Sequence, residues 1–92
     1  METMTYETSA TSHAANDLVL AVLNESTQYR LRCDLARLDM EGEPVAGAWR
    51  DMVREEAAVL TARFGTKYTR ADIHEAAKLV RAASIQHVQE AA

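Results

Sequence analysis

Helix breakers are scarce in this chain, and all but Gly47 fall where they divide it cleanly. Gly42 with Pro44, and then Gly65, stand between runs in which apolar residues recur at helical spacing. Proline tolerates only the first turn of a helix, and glycine is favoured just past a helix end. The chain has three glycines and one proline in all, and it is rich in alanine, the residue that loses least on entering a helix. Val, Ile and aromatic residues form no alternating run, so no strand is expected. The fold class that follows is all-α. It is a small antiparallel bundle of three helices, or of four if the first breaks near Ser26.

The first helix is expected from His13 to Glu41, with the polar run Asn24-Glu25-Ser26-Thr27 as its weak point. The second is expected from Pro44 to Phe64, capped by Gly65. The third opens on the clearest local signal in the chain. Thr69 is a good N-cap, Asp72 stands three residues on as in a capping box, and Tyr68 and Ile73 are spaced as a hydrophobic staple. This helix runs to about Gln89. Residues 1–12, rich in Thr and Ser, are read as a flexible tail, and 13–92 as one domain. At 48% apolar and 26% charged residues, a chain of 92 residues is too apolar for disorder and near the lower size limit for a self-sufficient core.

Two helices present single apolar faces. The second carries Val45, Trp49, Met52, Val53, Val59, Leu60 and Phe64, and the third carries Ile73, Ala76, Ala77, Val80, Ala83, Ser84 and Val88. The first helix differs, because beyond Leu23 its apolar residues divide into two stripes. Tyr29, Cys33, Ala36 and Met40 line one side, and Leu31, Leu35 and Leu38 nearly the opposite one. A helix in a three-helix monomer needs one buried stripe. Leu31, Leu35 and Leu38 are therefore the expected contact with a protein partner or with a second copy, a dimer first of all. The alternative is that the chain bends near Ser26 and buries them within one copy.

Catalytic signatures are missing from the sequence. His74-Glu75-Ala76-Ala77-Lys78 starts like a zinc-protease motif but has Lys where the second ligand histidine must stand. His13, His74 and His87 are scattered, and Cys33 is the only cysteine, lying within an apolar stripe. No enzyme activity, cofactor or metal is expected. Glu56 falls among Trp49, Met52, Val59 and Leu60, which makes it a candidate buried acid or a carboxylate at the edge of the core.

Charge is unevenly spread over a net −4. Residues 1–62 hold five Arg against eleven Asp and Glu, whereas residues 63–81 hold five basic residues against two acidic ones. Glu25, Asp34, Asp39, Glu41 and Glu43 form a possible acidic steering face. Arg63, Lys67, Arg70, Lys78 and Arg81 form a possible contact for nucleic acid or another anion. The expected function is a non-catalytic regulatory or inhibitory protein that occupies a surface of another protein. A DNA-binding regulator using the Arg63–Arg81 surface is the alternative. The longest apolar run, Leu18 to Leu23, is too short to cross a bilayer, and no leader is evident. A cytoplasmic location is expected, and the Arg- and Ala-rich usage suggests a bacterial or phage source.

Overall fold

A computed structural model describes residues 12–91, all of whose regular structure is helical. The expected tail falls outside the described residues except for Ser12. The helices are α1 (His13–Asn24), α2 (Tyr29–Met40), α3 (Ala46–Phe64) and α4 (Arg70–Ala91), with a 3₁₀ turn at Ser26–Gln28 joining the first two. The four-helix form of the expected bundle is the one adopted.

Local chemistry sets most of the boundaries. The Ser12 hydroxyl caps α1 by accepting from the Ala15 N–H, and it donates to Asp72 at the start of α4. Glu25 then leaves helical geometry with ψ at 98°, and the Thr27 hydroxyl donates to its carboxylate at 2.6 Å. Short polar side chains that bond nearby groups compete with helix in this way. Gly65 ends α3 in the left-handed region at φ +76°, where a Cβ would be strained. At α4 the capping box forms in both directions. Asp72 N–H donates to Thr69 Oγ1 at 3.0 Å, and Thr69 N–H donates to Asp72 Oδ2 at 2.9 Å. That backbone bond, with help from Ser12, holds the Asp72 carboxyl below its usual range.

The longest helix, α4, is the hub, and all three others pack on it. The Ser12–Asp72 bond brings the starts of α1 and α4 together, so these two run parallel. The other two helices run the opposite way along α4. Tyr29 meets His87 and Asp39 meets Arg81, which lays α2 along the C-terminal half. Next in line is α3, covering the N-terminal half. The core consists of Leu18, Val19 and Val22 of α1, Leu35 and Ala36 of α2, Trp49, Met52, Val53 and Ala57 of α3, and Ala76, Ala77, Val80 and Val88 of α4. The small residues on α4 let three helices approach it closely. Val59 and Phe64, expected in the core stripe of α3, are exposed instead, and Phe64 keeps 69% of its surface in solvent.

The packing of α2 corrects the two-stripe reading. At roughly 100° per residue, Arg32 and Asp39 lie midway between the stripes, and this polar line is the one turned inward. Arg32 is 6% exposed although it is an arginine. Its guanidinium donates to the carbonyls of Val22 at 2.8 Å, Leu23 at 3.0 Å and Glu25 at 3.1 Å, and so closes the C-terminus of α1. A cation at that end also complements the helix dipole. Asp39 accepts from Trp49 Nε1 at 2.9 Å and from Arg81 Nε and Nη2 at 2.6 and 2.8 Å. Both stripes are thus the shoulders of one buried face.

Leu35, 7% exposed, packs within this copy and is unavailable to a partner, so Leu31, Leu35 and Leu38 do not form one surface. The chain break that allows this is the one at Glu25. Leu31 and Leu38 remain exposed at the edge. The side that faces solvent squarely carries Arg30, Asp34, Arg37 and Glu41.

The Asp39 node gives a direct pH prediction. The Arg81 guanidinium beside it, helped by the Trp49 N–H, holds the Asp39 carboxyl below the usual carboxylate range. A depressed acid contributes stability above its unfolded pKa and loses it as pH falls through its folded one. Thermal unfolding of Asp39→Asn, which keeps an acceptor for Trp49 but loses the ion pair, is therefore expected to show a deficit at neutral pH. That deficit should shrink on acidification below the ordinary carboxylate range, and a deficit independent of pH would contradict the assignment.

Candidate functional site

Where α3 and α4 run side by side, their N-terminal halves leave a groove on the surface. Arg50 and Arg54 are one turn apart on α3, and Arg70, His74 and Lys78 follow one another at single-turn spacing on α4. One part of the groove, about 910 Å³, is lined by Arg50, Arg54, Arg70, Ala71, Ile73 and His74. A second part, about 320 Å³, reaches toward the α2–α3 turn over Pro44, Val45, Trp49 and Ala77, with Lys78 and Arg81 at its side. Arg50 and His74 line both parts, so the two adjoin. The outcome is a basic rim over a partly apolar floor.

The cations of this rim differ in how far they are committed. Arg81 is locked in a two-pronged pair with Asp39, and that contact raises its own pKa. Arg54 pairs with Asp51 at 2.9 Å, both exposed, and Lys78 with the half-buried Glu75 at 3.6 Å, each pair within a single helix. Such pairs contribute little and exchange readily for a better anion. Among the described residues, Arg50 and Arg70 have no carboxylate within ion-pair distance. These two groups can meet an incoming anion without first giving up a partner.

The residues singled out from the sequence are redistributed by the fold. Of the five basic positions, Arg70, Lys78 and Arg81 line the groove, whereas Arg63 and Lys67 lie outside its lining. The acidic set does not form one face. Asp39 is turned inward, Asp34 pairs with Arg37 at 3.4 Å, Glu43 lines the groove, and Glu25 lies across the molecule.

Glu56 is half-buried at the edge of the core, in a cleft with Glu25, Met52 and Val59. Burial raises its carboxyl pKa, and the Glu25 charge raises it further, against the opposing pull of Arg63. It is not deeply buried, and among the described residues it has no hydrogen bond, which fits the core-edge alternative. Arg50, Arg54 and His74 were missed. The i, i+4 spacing of the two arginines is visible in the sequence, but they stand in its acidic segment, and their positive charge gathers only on the helix face.

Comparison with protein-family models, with characterised proteins and with solved structures finds no match to this chain. Among the described residues there is no group of three or more His, Cys, Asp or Glu placed to hold a metal ion. None of the described helices is long and apolar enough to cross a membrane.

Proposed function

We propose that this chain is a non-catalytic regulatory protein that binds an acidic, partly apolar segment of another protein in the α3–α4 groove. The observation that carries the reading is the placing of uncommitted Arg50 and Arg70 beside an apolar floor in two adjoining hollows that share Arg50 and His74. A segment with carboxylates on one side and apolar anchors on the other satisfies both features. The charged rim would steer encounter and fix register, and the anchors would supply most of the affinity.

Nucleic acid is the less favoured ligand, for two reasons in the same groove. Glu43 stands within the lining, and the acidic remainder of the molecule repels a densely charged polyanion more strongly than a short segment carrying a few carboxylates. Trp49, the only tryptophan, is buried and offers no stacking platform for a base. The residues proposed to act are Arg50, Arg54, Arg70, His74 and Lys78. Leu31 and Leu38, which stay exposed on α2, are peripheral to this reading.

The test uses fluorescence anisotropy with two labelled probes, an acidic amphipathic Glu/Leu peptide and a DNA duplex of similar charge. The peptide is expected to bind the wild-type chain, and the double variant Arg50→Glu, Arg70→Glu to lose at least about tenfold in affinity. Arg30→Glu, a reversal on the solvent side of α2, is expected to bind as wild type. Tighter binding of the duplex, with a steep salt dependence, would replace this reading with the DNA-binding one.

A further inference from the structure

A second cavity lies on another face of α4, in its C-terminal half, and the groove reading does not use it. It has a volume of about 300 Å³ and is lined by Leu23, Tyr29, Arg32, Cys33, Ala83, Ser84 and His87. That is the lower end of the size range of small-molecule sites, large enough for a single aromatic ring bearing a polar group.

Its wall holds a polar group that the fold leaves unsatisfied. Ser84 is 6% exposed, and its hydroxyl is buried with no hydrogen-bond partner. Leaving such a group unpaired costs free energy, and unpaired buried groups are rare in folded proteins.

The second feature is charge. Arg32 is buried in the same wall, and its three bonds all go to neutral carbonyls. A guanidinium has five N–H donors, so two remain beyond those bonds. Among the described residues no carboxylate lies within ion-pair distance of it. The end of α1 offsets only about half a charge.

The remaining walls are apolar or aromatic. Leu23 and Ala83 give aliphatic surface, and the Tyr29 and His87 rings stand edge to face at 5.6 Å, joined by a 2.8 Å hydrogen bond between Tyr29 Oη and His87 Nε2. The Arg32 guanidinium lies 5.8 Å from the centre of the Tyr29 ring. Positive charge, an unused hydroxyl and an aromatic flank therefore meet in one small cavity.

We infer that this cavity binds a small organic carboxylate with an aromatic or compact apolar body. The carboxylate takes the free donors of Arg32 and the Ser84 hydroxyl, and the body lies against Leu23, Ala83 and the Tyr29–His87 pair. Cys33 contributes van der Waals surface, and no covalent step is involved.

Amide-resolved NMR titration of the full chain with sodium benzoate tests the assignment, with benzamide and sodium chloride as controls. Benzoate is expected to cause saturable shifts centred on Leu23, Cys33, Ala83 and Ser84. The uncharged benzamide is expected to bind at least about tenfold more weakly, since it lacks the charge that Arg32 calls for. Ser84→Ala removes the buried hydroxyl, should fold at least as well as wild type, and should bind benzoate several-fold more weakly. Ala83→Phe fills the cavity from a half-buried position and should abolish the shifts. Absence of saturable shifts, shifts centred on the α3–α4 groove, or equal binding of benzoate and benzamide would each overturn the inference. Failure here leaves the groove reading intact, because its residues and probes are different.

Discussion

Replacing Arg32 with Met is expected to remove about 3 kcal/mol of stability, a large part of what a small domain has. The side chain is of similar length and more apolar, so a view based on burial alone would expect a gain. The opposite is expected because the guanidinium is the C-terminal closure of α1. Without it the Leu23 carbonyl loses its donor, and the carbonyls of Val22 and Glu25 each keep only a backbone N–H, the Val22 one at a buried site. The break at Glu25 then has nothing holding the two helices in register. A fall in melting temperature of more than about 10 °C is expected for a domain of this size. Arg32→Lys restores the charge but only one nitrogen, and it should recover part of the loss. A variant as stable as wild type would mean that solvent closes α1 equally well.

Leu35→Asp is expected to be more severe still and to prevent folding. The substitution removes a leucine from the core, where even Leu to Ala costs about 2–5 kcal/mol. It also places a carboxylate on the inner face of α2 beside Ala36, in the apolar core, where its desolvation is costly. The same change at Leu31 or Leu38 should be far better tolerated, because both lie at the edge of the packed face and keep 46% and 41% of their surface in solvent. Three leucines that look equivalent on a helical wheel are thus expected to separate into one indispensable position and two permissive ones.

That separation marks the limit of what the sequence conveys. Gly65 and the Thr69–Asp72 box were legible because their chemistry is local and completes itself within a few residues. The apolar face of α4 was legible because it has one period and one polarity. The buried face of α2 was not, since its centre is an arginine and an aspartate whose partners lie on other helices. Arg32 acts on α1, and Asp39 is satisfied by Trp49 and by Arg81 far along the chain. A reading that places every charged residue in water takes the shoulders of such a face for two separate stripes. A narrow polar line flanked on both sides by apolar residues was the available clue, and Arg32 and Asp39 occupy that line.

The candidate groove was half legible for a related reason. Arg70, Lys78 and Arg81 stood out as a local excess of positive charge. Arg50 and Arg54 sit in the acidic part of the chain, and only the antiparallel packing of α3 on α4 brings them to the same rim. Asp39 and Glu43, expected to steer the chain toward a basic target from a shared acidic face, prove to be a structural partner and a groove wall.

The most direct test of the account is to follow Leu35→Asp by circular dichroism and light scattering beside the wild-type chain. The variant is expected to lose its helical signal and its cooperative transition, because Leu35 belongs to the core of a single copy. A variant that stays folded while its mass falls below that of wild type would place Leu35 between copies and contradict it.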